Sequence, residues 1–245
     1  MEQDEPLETA RRIVEERVPG AIGAVLAGSV LTSRRSATSD LDIVVFVADE
    51  DESFRETVES SGWLAELFVQ TRSTFNFYVA QETTARRSTL LSMCAEGAAL
   101  FSIDGTTERY QEEALRLLAL GPPPLTKEEV DRARYMLTDL LEDLAGVTDA
   151  SELTFIIGQL LTMSAELALS NERQWLGTGK WLARRLEQWN PELMANLNGA
   201  ARTAMTTHDR SRLRSVVLDV LRPVGGPLAV GFRERSDVAK GPTIH

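Results

Sequence analysis

Three consecutive prolines divide this chain into two parts with different sequence patterns. The prolines of Gly121-Pro122-Pro123-Pro124 have no backbone N–H donor and favour an extended, fairly stiff segment, which interrupts helix and strand alike. Before this segment, short apolar runs alternate with amphipathic stretches. After it, strand patterns nearly vanish. We therefore expect two domains, at residues 1–121 and 125–245.

The first part mixes helix and strand patterns. Apolar residues interleaved with charge over 7–18 predict an amphipathic helix, and apolar runs at 21–27 and 43–48 predict buried strands. The remaining predicted elements are a surface helix at 52–61, strands at 64–70 and 75–80, a helix at 84–95 and a short strand at 98–101. Strands and helices in this order predict an α+β fold with a mixed sheet.

The second part is dominated by apolar residues at helical spacing. Leu137, Leu141 and Leu144 repeat in this way, and Leu153, Ile157 and Leu160 do so again. Further helices are expected at 178–188, 191–204 and 208–221. Together these segments predict an all-α bundle of four or five helices. The tail after Pro223 is rich in glycine, proline and charge, so we expect it to be loosely ordered.

Composition excludes several function classes. A net charge of −11 with no evident basic stripe argues against a nucleic-acid partner. The same charge suits a cationic small molecule or a basic protein, or it merely keeps the chain soluble. The sequence begins without a secretion-signal pattern, and no apolar run approaches the roughly 20 residues that cross a bilayer. The single cysteine, Cys94, fits a reducing cytoplasm.

A short pattern in the first part carries the chemistry. Gly28-Ser29 ends an apolar run and, after ten residues, Asp40 and Asp42 open the next one. Two carboxylates one residue apart on a strand share a face, and they repel each other unless a cation lies between them. A Gly-Ser turn at a strand end offers backbone N–H groups to a phosphate. The pattern predicts a site for a metal-bound nucleoside triphosphate, although a turn alone would explain Asp40.

Glu66 supplies a third carboxylate. It lies in an apolar run and shares a strand face with Leu64 and Phe68, so we do not expect it to be the polar side of an alternating strand. A charge there is costly unless it is paired or binds a metal, and an edge position or an ion pair is the alternative. Three carboxylates suit hard divalent cations, above all Mg²⁺. Two Mg²⁺ ions could bind there together with the phosphates of ATP. The two histidines, His208 and His245, lie far away, which argues against zinc.

The sequence resembles the DNA polymerase beta nucleotidyltransferase superfamily. The resemblance is carried by Leu26-Ala27-Gly28-Ser29 and Ser39-Asp40-Leu41-Asp42-Ile43-Val44-Val45, and more weakly by Ala95-Glu96-Gly97-Ala98-Ala99-Leu100-Phe101. It implies that Gly28, Ser29 and Ser39 bind the nucleotide. It implies that Asp40 and Asp42 bind metal, with Glu66 completing the set by its strand position. Many members carry arginines directly after the Gly-Ser pair, whereas Arg34 and Arg35 come later in this sequence. Two interpretations stay open for these arginines: they reach the phosphates, or they face solvent.

A nucleotidyltransferase domain followed by a helical bundle is similar to the kanamycin- and streptomycin-modifying nucleotidyltransferases. That architecture implies a cleft between domains and a small, cationic acceptor. A predicted helix begins after Gly177 and Gly179, with Lys180 in its first turn and Arg184 one turn later on the same face. These two residues either contact the phosphates or are ordinary solvated residues at a helix start. Glu129 is a candidate general base, but Thr126 three residues before it favours a helix cap.

The predicted activity is transfer of AMP from Mg-ATP to an acceptor hydroxyl, with release of pyrophosphate. A protein acceptor, as in the antitoxin branch of the superfamily, and a non-catalytic nucleotide-binding regulator are the alternatives. The sequence leaves the oligomeric state open.

Overall fold

The computed structural model describes residues 6–234, which divide after Pro123 into two compact units. The first unit combines helices with a five-stranded mixed sheet, and the described part of the second is built from helices. The predicted α+β fold with an all-α region after it is confirmed.

The first unit contains nine regular elements within the described residues. In chain order they are α1 (Pro6–Arg17), β1 (Gly23–Ala27), β2 (Leu41–Phe46), β3 (Phe54–Ser60), β4 (Trp63–Gln70), α2 (Arg72–Thr84), α3 (Thr89–Glu96), β5 (Ala98–Ser102) and α4 (Thr106–Leu120). The sheet order is β3-β4-β2-β1-β5. β2 and β4 run parallel, and the other neighbouring pairs are antiparallel.

The two faces of the sheet are covered differently. One face, which includes Ile43, packs against α1 in a single apolar core. On the opposite face, the ring of Phe46 stacks on Tyr110 of α4 with centroids 3.9 Å apart. Phe75 of α2 packs edge-on against Phe46. This aromatic cluster covers the C-terminal end of β2, whereas Asp42 lies near the N-terminal end of the same strand.

The predicted helix at 52–61 is wrong, because Phe54–Ser60 form the edge strand β3. Ser61 and Gly62 link β3 to β4, with φ angles of 52° and 77°. Positive φ at both central residues is what a two-residue type I′ hairpin requires. The missed signal was the Ser-Gly pair itself, because a Ser-Gly dipeptide marks a turn.

The predicted strand at 75–80 is also wrong, because these residues lie inside α2. Aromatic and β-branched residues favour strands, but the helix has a strong start signal. Thr71 accepts a hydrogen bond from the backbone N–H of Thr74, and the Thr74 side chain accepts one from Thr71 N–H. Phe75 and Val79, one turn apart, are buried on the inner face of the helix.

The helix predicted at 84–95 begins later than expected, at Thr89. The chain turns between α2 and α3, where Arg86 has a φ of 55°. Glu82 of α2 then accepts hydrogen bonds from Leu90 N–H, at 3.1 and 2.9 Å to its two oxygens. Burial raises the pKa of Glu82, while these hydrogen bonds act in the opposite direction. A carboxylate from one helix thus caps the next.

The described part of the second unit contains five α-helices, and the predicted helices are all present with shifted ends. They are α5 (Lys127–Gly146), α6 (Ala150–Asn171), α7 (Lys180–Trp189), α8 (Pro191–Thr207) and α9 (Ser211–Leu221). The apolar repeats identified in the sequence, including Leu137, Leu144 and Ile157, form the bundle core with residues of α8 and α9.

Among residues 6–234, α6 is the one helix long and apolar enough to cross a membrane, whereas the sequence had suggested no such segment. Its residues Leu153, Ile157 and Leu160 are buried in the bundle core. Core helices of globular proteins meet the same criterion, so α6 is only weak support for membrane insertion.

The sequence predicts a loosely ordered tail after Pro223. This prediction is wrong as far as residue 234, because the segment is hydrogen-bonded to α5. Arg134 of α5 donates from Nε to the Gly226 carbonyl at 2.8 Å and from Nη2 to the Gly225 carbonyl at 2.9 Å. The two glycines have φ angles of 77° and 106°, which turn the chain. Residues 235–245, including the rest of the predicted tail, lie outside the described residues.

Candidate nucleotide and metal site

Asp42 and Glu66 are neighbours across the sheet. The parallel register of β2 and β4 sets Asp42 opposite Glu66. Residues paired in this way project from the same face of a sheet. This face is accessible here, since Leu64, two residues before Glu66, is 51% exposed. The fold therefore brings two of the three predicted carboxylates side by side.

Gly28 lies directly against the Asp42 carboxylate. Ala27, the last residue of β1, pairs with Asp42, and the chain leaves the strand at Gly28 with a φ of 91°. A Cβ atom on Gly28 would overlap Asp42 Oδ2 and lie 3.2 Å from Asp42 Cγ. The glycine is thus required twice, for its backbone conformation and for the space that the carboxylate occupies.

Two serines hold the ends of the loop between the Gly-Ser turn and the aspartates. Ser29 Oγ and Ser39 Oγ are hydrogen-bonded at 3.0 Å, and Ser39 Oγ accepts from Ser36 N–H at 2.9 Å. Ser39 is buried. Because Ser39 directly precedes Asp40, this bond fixes the turn relative to the carboxylates. Ser29 and Ser39 therefore have a structural task beside their predicted nucleotide contact.

Glu66 forms an ion pair. Arg55 Nη2 on β3 donates to Glu66 Oε2 at 2.8 Å, and the Arg55 guanidinium lies 4.8 Å from the Phe68 ring centroid. Burial alternates along β4, with Glu66 on the more exposed side. The expectation that Glu66 is not on the polar side of an alternating strand is wrong. The ion-pair alternative from the sequence is the one observed.

The carboxylates fit a metal that arrives with a nucleotide better than a preformed cage. Within residues 6–234, no group of three or more His, Cys, Asp or Glu side chains is arranged to hold a metal ion. Asp40 and Asp42 are half-buried, and their spacing places both on one face of extended chain. Mg²⁺ usually keeps several waters and takes one or two carboxylates plus substrate phosphates. Asp40 and Asp42 match that donor set.

Arg35 and Arg184 each lie beside a tryptophan ring. The Arg35 guanidinium is 5.0 Å from the ring centroid of Trp63. In the second unit, Lys180 begins α7, and the Arg184 guanidinium lies 4.5 Å from the Trp181 ring centroid. Their contact with phosphate stays a prediction.

Glu129 caps α5. It accepts from Thr126 N–H through Oε2 at 2.8 Å, while Thr126 Oγ1 accepts from Glu129 N–H at 3.2 Å. The predicted capping box is confirmed. Because its carboxylate is engaged at a helix start, Glu129 is not our candidate for the general base.

An acidic pocket in the second unit was missed in the sequence. Its volume is about 540 Å³, and it lies between the end of α5 and the start of α6. Its lining includes Glu142, Asp143, Glu152, Phe155 and Ile156. The available signal was Asp143 in the last turn of α5, where the helix dipole disfavours an acidic side chain. Carboxylates beside apolar surface suit a cationic molecule.

No protein-family model matches the sequence, and no curated protein does so either. Among solved structures, one match is described as a nucleotidyltransferase-like protein from Exiguobacterium sibiricum 255-15. The alignment covers 90% of this chain and 74% of that chain, with 11% identity and a TM-score of 0.46.

Proposed function

We propose that this protein is a metal-dependent nucleotidyltransferase that moves AMP from Mg-ATP to a hydroxyl of a small, cationic acceptor such as an aminoglycoside. The observation that carries the proposal is the contact of Gly28 with the Asp42 carboxylate, with Glu66 beside Asp42 on the next strand. A glycine turn that can approach phosphate and a carboxylate that can bind a divalent cation are thus adjacent.

In the proposed reaction, Asp40, Asp42 and one oxygen of Glu66 would hold Mg²⁺, and the Gly28-Ser29 turn would bind the triphosphate. Bound Mg²⁺ would stabilise the negative charge of the departing pyrophosphate. Glu66 would accept the proton of the acceptor hydroxyl as its oxygen attacks the α-phosphorus. The new oxygen–phosphorus bond forms as the bond to pyrophosphate breaks. The Ser29–Ser39 hydrogen bond would keep the turn and the aspartates in register.

A cationic acceptor is supported by charge. The chain has a net charge of −11, and the acidic pocket of the second unit combines carboxylates with exposed Phe155. Such surfaces attract and concentrate cations. We also propose a cytoplasmic location, supported by Cys94, which is the single cysteine of the sequence and is a free thiol.

Pyrophosphate release from Mg-ATP, measured with and without a panel of aminoglycosides, tests this proposal. Release should depend on both Mg²⁺ and an acceptor, and Asp42→Asn should reduce it at least about 100-fold, as expected when a group in the reacting assembly is lost. Asp51→Asn is the matched control, because Asp51 is exposed in the loop between β2 and β3. Unchanged release in Asp42→Asn would refute the metal assignment.

A non-catalytic nucleotide-binding protein is the second candidate, and the Arg55–Glu66 ion pair favours it. An engaged Glu66 is less available as a proton acceptor. ATP binding without pyrophosphate release across the whole acceptor panel would support this candidate. A labelled protein band after incubation with labelled ATP and cell lysate would instead point to a protein acceptor.

A further inference from the structure

Arg55 engages one oxygen of the Glu66 carboxylate, the group that a metal ion at this site would use. Its Nη2 atom lies 2.8 Å from Glu66 Oε2, and its guanidinium also stacks on Phe68. The register of the hairpin explains the geometry, because Arg55 pairs with Phe68 and Thr57 pairs with Glu66. Arg55 therefore reaches diagonally along the sheet face to the carboxylate.

The carboxylate pair explains why a cation is held there. Asp42 and Glu66 are opposite each other on parallel strands, so their negative charges repel. Arg55 supplies the nearest positive charge that the structure gives to Glu66. The Arg55 side chain is 63% exposed, whereas the Glu66 side chain is 24% exposed. The guanidinium can therefore leave into solvent more easily than the carboxylate can move.

We propose that Arg55 is the resident counter-cation of Glu66 and that it competes with the divalent metal for this carboxylate. This inference rests on the proposed function. While Arg55 is paired with Glu66, a metal ion without nucleotide has only Asp40 and Asp42 as protein ligands and binds weakly. A metal ion that arrives with a triphosphate brings further ligands and displaces the guanidinium, so Arg55 is a positioning residue that couples metal binding to nucleotide binding.

Binding of Mn²⁺ without nucleotide tests the competition directly. Electron paramagnetic resonance of free Mn²⁺ gives the dissociation constant for the full chain and its variants without any measurement of activity. Arg55→Gln should bind Mn²⁺ about three- to fivefold more tightly, the size expected when a partly exposed ion pair is removed. Arg55→Lys keeps the charge and should stay within about twofold of the wild-type value.

Two controls make the outcome specific. Arg17 is another arginine beside β3, and its Nη1 atom lies 3.6 Å from Glu56 Oε1. The control variant Arg17→Gln should leave Mn²⁺ binding unchanged. In a Glu66→Gln background, Arg55→Gln should have no further effect, because the competition for Glu66 is gone. Thermal unfolding of each variant verifies that the fold is retained.

The results separate this inference from the proposed function. If Asp42→Asn leaves Mn²⁺ binding unchanged, the proposed metal site is wrong. If Asp42→Asn weakens binding but Arg55→Gln does not strengthen it, the competition is wrong and the metal site stands. Equal strengthening by Arg55→Lys and Arg55→Gln would show that charge is not the cause, which also overturns the inference.

Discussion

Replacing Gly28 with alanine tests the physical basis of the site more sharply than removing a carboxylate. Gly28 has a φ of 91° and a ψ of −176°, a region essentially restricted to glycine. A side chain there costs about 1–3 kcal/mol in backbone strain. The added Cβ would also overlap Asp42 Oδ2, so the carboxylate has to move. Alanine restricts the unfolded chain as well, which offsets about 0.4–1 kcal/mol of the loss.

The net destabilisation is therefore about 0–2.6 kcal/mol, with a central value near 1.3 kcal/mol. At about 2–4 °C per kcal/mol for a chain of this length, the melting temperature should fall by roughly 3–5 °C at that central value. Displacement of a reacting group by about 1 Å costs on the order of 100-fold in rate. We therefore expect Gly28→Ala to lose most nucleotidyl transfer while it remains folded at 25 °C.

Gly62→Ala is the matched control. Gly62 also has a positive φ, 77°, but nothing lies within 4 Å of the position of an added Cβ. It should lower the melting temperature by a comparable amount, because a left-handed residue with a side chain costs about 1–2 kcal/mol. Transfer activity should be retained. Calorimetry and the pyrophosphate assay on both variants decide the matter, and full activity in Gly28→Ala would refute the argument.

Two further variants address stability. Burial raises the pKa of Glu82 above its ordinary value of 4.5, so the stability it contributes is present below that value and is lost as pH rises through the folded-state pKa. Glu82→Gln should therefore lose less stability than wild type as the pH is raised above 4.5, measured by thermal melts at a series of pH values. Arg134→Gln removes two hydrogen bonds to the Gly225 and Gly226 carbonyls and should cost about 1–3 kcal/mol. Limited chymotrypsin digestion should then cleave after Phe232, which stacks on Tyr135, faster than in wild type, and unchanged cleavage would contradict the role given to Arg134.

The local part of the site could be predicted because it depends on short-range rules. Strand periodicity places Asp40 and Asp42 on one face, and a Gly-Ser pair after an apolar run indicates a turn. The structure adds the register that sets Asp42 against Glu66, which no local pattern specifies. The close approach of Gly28 to Asp42 follows from a second long-range pairing, that of β1 with β2, in which Ala27 lies opposite Asp42.

The Arg55–Glu66 ion pair could not be predicted, because the secondary structure of residues 52–61 was predicted incorrectly. Residues 52–61 were predicted as a helix, in which Arg55 would face solvent away from the sheet. Burial alternates from Phe54 to Val58, and Ser61-Gly62 adopts the positive φ values of a hairpin turn. Once 54–60 is a strand, Arg55 is brought beside Glu66 by register alone. Which residue Arg55 contacts across the hairpin depends on how the two strands pair, and the secondary-structure propensity of each segment does not specify it.

The placement of Arg55 has a consequence for how the site would work under the proposed function. Adjacent carboxylates need compensating positive charge at every stage, before and after a metal ion binds. A surface ion pair is worth at most about 1 kcal/mol, so Arg55 can satisfy Glu66 in the free protein without blocking a ligand that brings stronger bonds. A metal ion carried by a triphosphate is such a ligand, whereas a hydrated ion alone is a weaker competitor. The same exposed guanidinium, once released from Glu66, would remain near the negative charge of the bound nucleotide.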